Sequence, residues 1–252
     1  MVCHWYPRLF RHGGHTTSFQ DLTSSEEGEA IILLNGTHND NMETFKTRWS
    51  QATLKAAVDG GLNFLFDMVG TEECYWPDVI TGDFDSARPE VLDFYRRKGV
   101  SIRETKDQDY TDFSKCLTIV SSMCSESPKN ILRIVVFGAY GSRLDHQLSN
   151  ISSLVRAHEF TNLPICLLDA NQLAFLLREG EHEIHVDDID EVEWCGLVPV
   201  VQPVLTSTNG LKWNLDNHTM ACDGLISTSN QISDQQVKVK CNGCLLWMMG
   251  FL

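Results

Sequence analysis

Three short segments of the chain carry the residue types that phosphate chemistry needs. The first, Gly82-Asp83-Phe84-Asp85-Ser86, directly follows the apolar run Val79-Ile80-Thr81. Gly82 permits a sharp turn at the end of a strand. If the segment continues extended, Asp83 and Asp85 project to one side, because side chains alternate with period 2. Two carboxylates aimed at one point repel unless a cation lies between them, and a hard cation with oxygen ligands, Mg2+, suits that place. Taken alone a D-x-D is common, and it reads first as a turn, since Asp favours turns and caps. The second segment, Asp107-Gln108-Asp109-Tyr110-Thr111-Asp112, also follows a strand pattern and precedes a helical one. Asp109 or Thr111 can accept from free helix N–H groups, but three aspartates in six residues exceed what a cap requires. From Asp67 to Asp112 there are twelve carboxylates against six Lys or Arg. Two acidic loops at strand ends of one sheet favour the metal reading, because ligands sit beyond the carboxyl ends of such strands.

The third segment is Gly138-Ala139-Tyr140-Gly141-Ser142-Arg143-Leu144-Asp145-His146, after the most β-branched run in the chain. Its glycines let backbone N–H groups approach an anion at a helix N-terminus. Arg143 offers a planar fork for phosphate oxygens. Asp145 has three open roles: metal ligand, partner that orients Arg143, or acceptor of a hydroxyl proton. His146 is a weaker candidate base, since a His in a first helical turn is often only a capping or surface residue. The glycine spacing fits neither a Walker A loop nor a Rossmann fingerprint. Asp59-Gly60-Gly61 is a further glycine-bearing turn, which reads on its own as the C-cap of a preceding helix.

The elements that must position these residues alternate. Strand patterns at 30–34, 78–81, 100–103, 131–137 and 164–168 are interleaved with helical ones at 42–58, 89–98, 111–123 and 144–160. Phe45, Trp49, Ala52 and Ala56 supply the helical spacing of 42–58. The alternation predicts an α/β domain with a mainly parallel, doubly wound sheet. Past residue 170 the rhythm shortens to strand patterns at 173–177, 183–186, 196–201, 220–227 and 236–240, which predicts a smaller all-β sandwich domain. The expected organisation is a loosely ordered segment 1–28, a nucleotide- and metal-binding catalytic domain 29–170, and a β-sandwich domain 171–252.

Composition bounds the partners. The net charge of -14 excludes nucleic acid and an anionic membrane as expected partners, because both are bound by clustered Lys and Arg. An acidic enzyme still handles ATP when metal ions bridge the like charges. No apolar run approaches the length of about 20 residues that spans a bilayer, and residues 1–14 lack the apolar core of a secretory signal. A cytoplasmic protein with reduced thiols is expected. Cys241 and Cys244 form a single C-x-x-C, read as a plain pair of thiols because a second ligand pair for zinc is not evident. The sequons at Asn35, Asn150 and Asn217 are read as chance.

Taken together, the segments resemble the thiamine pyrophosphokinase family, in its animal form. The matching pieces are Asp59-Gly60-Gly61-x-Asn63, Gly82-Asp83-Phe84-Asp85-Ser86, Arg88-Pro89-Glu90, Asp107-Gln108-Asp109-x-Thr111-Asp112, Gly141-x-Arg143-x-Asp145, Trp194-Cys195-Gly196-Leu197-x-Pro199, Gly210-Leu211-Lys212-Trp213-Asn214-Leu215 and Ser227-Thr228-Ser229-Asn230. Each is modest, and eight in family order are specific. The resemblance implies transfer of the diphosphoryl group of ATP to the hydroxyl of thiamine, giving AMP and thiamine diphosphate. It implies a homodimer whose thiamine sites lie where N- and C-domains of different subunits meet. Carried over by position, Asp83, Asp85 and Asp112 are the implied Mg2+ centre. Asp59, Gly60, Gly61, Gln108, Asp109, Arg143 and Asp145 are the implied nucleotide and phosphate contacts. Ser227, Ser229, Asn230 and Trp213 are the implied thiamine side, with a core position of the sandwich as the other reading of Trp213. The chain departs from the family at Gly138-Ala139-Tyr140-Gly141-Ser142, where the family is richer in Gly, at Ala221-Cys222-Asp223-Gly224, and at the end 241–252. Two rivals stand beside this reading: a non-catalytic dimeric thiamine-binding protein, and another Mg-dependent phosphotransferase or phosphatase.

Overall fold

Runs of β-branched and aliphatic residues become strands here because both of their faces are covered. The structure, a computed structural model, describes residues 2–6, 27–36, 42–127, 129–141, 143–169 and 171–252, with backbone alone for Glu27 and Thr44. It forms two compact units. One comprises the described residues of Gly13–Asp169, the other those of Met1–His12 and Ala170–Leu252.

The first unit is built on six parallel strands: β2 (Glu27–Leu33), β3 (Leu54–Val58), β4 (Val79–Gly82), β5 (Ser101–Glu104), β6 (Asn130–Phe137) and β7 (Ile165–Leu168). Their order is β7-β6-β2-β3-β4-β5, and every neighbouring pair is parallel. Ala30, Ile31, Ile32, Leu33, Ile134, Val135 and Val136 are fully buried, which accounts for continuous apolar runs rather than alternation. Five helices join them: α1 (Met42–Gln51), α2 (Gly61–Val69), α3 (Pro89–Arg97), α4 (Asp112–Glu126) and α5 (Leu144–Arg156). From β2 the chain steps outward through β3 and β4 to β5, then returns to the other side of β2 for β6 and β7. Right-handed crossovers therefore put α1 to α3 on one face and α4 and α5 on the other. The side chains agree: Phe66 of α2 meets Phe94 and Tyr95 of α3 edge-on, and Ser114 of α4 hydrogen-bonds Ser153 of α5 at 3.0 Å. This is the doubly wound sheet that the sequence predicts.

The helical reading of 42–58 needs correction. The helix stops at Gln51, and Leu54–Val58 is a strand wedged between β2 and β4. Ala56, fully buried there beside Ala57, falls into the helical stripe because a small residue fits either period; sheet pairing overrides local preference. Asp59-Gly60-Gly61 is accordingly a strand-to-helix turn, not a helix C-cap.

The second unit is all β. One antiparallel sheet runs β13 (Ser227–Asn230), β10 (Val192–Pro199), β15 (Leu245–Phe251), β8 (Gln172–Leu177). The other runs β1 (Val2–Trp5), β9 (Gly180–His185), β14 (Gln236–Cys241), β11 (Val204–Asn209), β12 (His218–Met220). The strand read over 220–227 splits into β12 and β13 around a turn. The expectation of loose order over 1–28 fails at both of its described ends. Glu27 and Gly28 begin β2, and Val2–Trp5 pairs in parallel with β9. The reason is Trp5: its ring stacks on Phe175 at 4.2 Å, Phe175 in turn lies against the buried Trp247, and the Trp5 indole N–H donates to His182 Nδ1 at 3.2 Å. Residues 7–26, where the rest of that expectation falls, lie outside the described residues. Among the described residues no helix is long and apolar enough to cross a membrane.

One buried ion group ties the first unit together. Glu29 on β2 accepts from Arg48 of α1 at 2.6 and 3.1 Å and from Arg133 of β6 at 3.1 Å, and all three side chains are largely removed from water. Taking away the carboxylate leaves two guanidiniums facing each other's charge in a low dielectric. Glu29→Ala is expected to lower the unfolding free energy by about 3 kcal/mol, read as a shifted urea midpoint at unchanged slope.

Candidate nucleotide and metal site

In a doubly wound sheet the crevice opens where the winding reverses, at the carboxyl ends of the two strands that diverge. Here those strands are β2 and β6. The segments that follow them, Leu34-Asn35-Gly36 and Gly138-Ala139-Tyr140-Gly141, line one cleft of about 470 Å³, together with Asp59, Asp83, Asp85, Ser86, Asp112 and Arg143. Gly36 makes the close approach possible: a Cβ there would lie 2.1 Å from the Gly138 carbonyl oxygen and 2.3 Å from that of Tyr140. Asn150 of α5 fixes the second segment by donating to the Ala139 carbonyl at 2.8 Å. The Tyr140 hydroxyl points away, toward the Leu167 carbonyl at 3.4 Å, and burial pushes its ionisation up. Ser142 lies outside the described residues.

The acidic segments converge, but not as an extended D-x-D. Phe84 sits at φ 63, in the left-handed region, and turns the chain between the two aspartates. One carboxylate oxygen each from Asp59, Asp83 and Asp112 lies within 4.8 Å of the others. Asp85 lines the same cleft outside that trio, and accepts the Ser86 hydroxyl at 2.8 Å. The trio comes from three separate elements of the switch-point layout: Asp59 directly follows β3, Asp83 directly follows β4, and Asp112 begins α4. Asp59 is itself at φ 44 and nearly buried, with its carboxylate accepting the Ser86 N–H at 3.2 Å. Desolvation raises its pKa, against the hydrogen bonds from Gly60 and Ser86 that lower it. Gly82 leaves room for it, since a Cβ at Gly82 would lie 3.0 Å from the Asp59 Cβ. Asp112 pairs with Lys115 at 2.8 Å, and Lys115 also donates to the Thr105 and Asp107 carbonyls, so the acidic loop is bound to its helix. Three carboxylates this close, one of them desolvated, form a donor set that fits a hard divalent cation.

Of the other expected nucleotide residues, Gln108 reaches Asp83 at 3.5 Å, while Asp109 is exposed, with its N–H turned to Asp107. Gly60 and Gly61 shape the turn rather than line the cleft: a Cβ at Gly60 would strike the Asn35 amide at 2.3 Å. Arg143 and Asp145 form a two-pronged pair at 3.1 and 2.5 Å, largely exposed at the cleft mouth. The pairing holds the Asp145 carboxyl low and the Arg143 guanidinium high. His146 lines the cleft as well.

Several residues here were legible only in part. Asn63 was quoted within a motif without a role; it donates to the Ser86 carbonyl and accepts from the Arg88 N–H, both at 2.8 Å, pinning the acidic turn from both sides. Asn35-Gly36 is not among the sequence candidates. Its signal is an Asn-Gly just after an apolar strand, which is where a switch point needs a residue without a side chain.

In the all-β unit, Ser227, Asn230 and Trp213 come together. Asn230, buried, donates to the Trp213 carbonyl at 2.9 Å and the Ser227 hydroxyl at 3.1 Å, and accepts from the Trp213 and Gln231 N–H groups at 3.2 and 2.8 Å. Its amide is fully used in holding the Trp213 turn. Trp213 is 55% exposed with Lys212 Nζ 4.7 Å above its ring, so the core-Trp reading falls. Ser229 is exposed at φ 55. Cys241 and Cys244 are free thiols, and Cys241 donates to the Arg178 carbonyl at 3.2 Å, as a plain thiol does.

Comparison with known proteins fits this layout. Residues 45–167 match the family model for the thiamin pyrophosphokinase catalytic domain, and residues 181–246 that for the thiamin pyrophosphokinase vitamin B1 binding domain. Thiamine pyrophosphokinase 1 of Oryza sativa subsp. japonica is 41% identical over 212 residues, 79% of either chain. Thiamin pyrophosphokinase 1 of Caenorhabditis elegans is 30% identical over 86% of either. The fold is also that of the thiamin pyrophosphokinase from Candida albicans, with a TM-score of 0.81 at 21% identity over 100% of this chain and 93% of that one.

A raised carboxylate pKa has a sign that can be tested. The folded state disfavours the charged form of Asp59, so its contribution is favourable below the unfolded pKa and is lost as pH rises through the folded value. Asp59→Asn is therefore expected to raise the melting temperature of the protein in chelator at pH 7, by a few degrees (about 2–4 °C per kcal/mol). The gain should be nearly gone at about pH 3, roughly one unit below the unfolded value of ~3.9, where Asp59 is largely protonated in both states. Calorimetric scans at the two pH values check it.

Proposed function

We propose that this chain, which belongs to the thiamin pyrophosphokinase family and so transfers the diphosphoryl group of ATP to the hydroxyl of thiamine, carries out that transfer in the switch-point cleft. The observation that carries the site is the convergence of Asp59, Asp83 and Asp112 opposite Arg143 in one cleft. Asp59, Asp83 and Asp112 would hold Mg2+, with Asp85 close by in the same cleft, and the ion supplies charge neutralisation for the diphosphate oxygens. The residues 138–141 and the start of α5 offer backbone N–H groups to phosphate. Arg143 supplies a fixed positive fork where charge develops during transfer. Asp145 orients that fork: a carboxyl held low by its guanidinium partner is a poor proton acceptor, which favours the orienting role among the three left open by the sequence. Gln108 positions Asp83. In the all-β unit, Trp213 offers an exposed ring for thiamine, Ser227 and Ser229 offer hydroxyls, and Asn230 acts through the Trp213 turn.

The same reading includes a homodimer, which rests on family resemblance, and a cytoplasmic location. Support for the latter is the lack of a long apolar helix among the described residues and the free thiols of Cys241 and Cys244. Family membership sets aside the inert binder and the unrelated phosphatase.

The test is an assay with ATP, Mg2+ and thiamine, following AMP and thiamine diphosphate by chromatography. Asp83→Asn and Asp59→Asn are expected to abolish AMP release, and Arg143→Ala to lower kcat by about 100- to 1,000-fold. Asp109→Asn is expected to stay within about twofold of the parent, since its side chain is exposed and outside the cleft. Wild-type turnover in Asp83→Asn would overturn the site.

A further inference from the structure

A second cluster lies in the all-β unit, apart from any residue used above. His4 on β1 stands opposite Glu183 on β9, and His185 is two residues along the same strand, so all three share one sheet face. His4 Nδ1 lies 3.1 Å from His185 Nε2 and 3.2 Å from Glu183 Oε2, and the remaining side, His185 Nε2 to Glu183 Oε2, is 3.7 Å. A single proton joins two atoms of such a triangle and leaves the third without a bond. A cation at its centre binds all three. For tetrahedral Zn2+ with bonds of about 2.0–2.1 Å, neighbouring ligand atoms stand roughly 3.3–3.4 Å apart, and the three observed distances straddle that value.

The surroundings hold the ligands in place. Gln236 on β14 donates to Glu183 Oε2 at 2.8 Å. Lys238 is directed to the other carboxylate oxygen at 3.7 Å, leaving Oε2 to the imidazoles. The Tyr6 ring stacks on His185 with centroids 4.6 Å apart and planes within 11°. Strand alternation sends Cys3 and Trp5 to the opposite face, Trp5 into the core. The ligand side chains keep 48%, 26% and 20% of their surface, enough for an ion to enter and for a fourth, solvent ligand.

We infer that His4, Glu183 and His185 form a binding site for a divalent transition metal of the Zn2+ class, which clasps β1 to β9. The ligand set separates it from the carboxylate trio: imidazole nitrogen selects Zn2+ and its neighbours over Mg2+. None of its three ligands lines the switch-point cleft, so its effect is on the order of the strand and not on turnover.

The test uses untagged full-length protein and Zn2+ alone, in competition with a chromophoric chelator. One Zn2+ per chain is expected, undisplaced by millimolar Mg2+. His4→Gln and His185→Gln should each weaken binding by at least about 100-fold, beyond what loss of an outer partner causes, while Cys3→Ser leaves it unchanged. Zn2+ should raise the melting temperature of the parent and not of the two His variants. Equal zinc affinity in parent and His variants, or no binding to the parent, overturns the inference. Should a His variant fail to fold, the Co2+ spectrum of the unaltered chain decides: tetrahedral d–d bands without a thiolate charge-transfer band support the site, and a thiolate band refutes it.

Discussion

Like charge forced into one place is the constraint around which the first unit is arranged. Three carboxylates meet within 4.8 Å, and one of them, Asp59, is nearly dry. No chain adopts that for stability; desolvation alone pushes Asp59 toward its neutral form. The surrounding structure compels it. Two residues outside glycine, Asp59 and Phe84, are held at positive φ beside the cluster, at a cost on the order of 1–3 kcal/mol each. Asn63 grips the acidic turn by both its amide atoms, and Lys115 ties the second acidic loop down. The strands β2 and β6, buried through Ala30–Leu33 and Ile134–Phe137, frame the site, and the Glu29 ion group fastens them to α1. Stability is given up locally to hold three carboxylate oxygens together, the donor set that the proposed cation would use.

The sequence revealed the sheet, its winding and the two acidic loops, because those depend on periodicity and on residue type at strand ends. It misplaced what depends on partners far away. Ala56 reads as helical because a small residue fits any period, and only β2 and β4 on either side make its segment a strand. Asp59 was assigned to nucleotide and Asp85 to metal by position in a motif. The geometry brings Asp59 together with Asp83 and Asp112 and leaves Asp85 outside that trio, and the left-handed Phe84 that parts Asp83 from Asp85 is invisible in a string of letters. Trp5 was hidden for a similar reason. A Trp beside Tyr6 in a short His-bearing stretch carries no period, and its burial depends on a strand far along the chain.

The two units hold their functional side chains by different means. In the first, helix starts and glycine turns bring backbone amides and carboxylates to the end of a parallel sheet. In the second, one buried amide does the same work: Asn230 spends every donor and acceptor on Ser227, Trp213 and Gln231, so the exposed indole stands on a fixed turn. An exposed aromatic on a rigid base loses little freedom when a ring settles on it, which is the condition for binding a flat cationic heterocycle without a deep pocket.

The pairing of β1 with β9 also bears on how the chain is made. Trp5 and its partner His182 are separated by 177 residues. At ribosomal rates of about 5–20 residues per second, β1 emerges roughly 10–35 s before the strand it pairs with. The intervening unit, whose six strands pair in parallel with one another, has time to fold in that interval. For the whole period β1 is a short apolar-and-histidine strand with no edge to join, so completion of the all-β unit is a late, long-loop event. Nascent chains of this protein thus pass through a stage in which the α/β half is formed and Trp5 still waits in water.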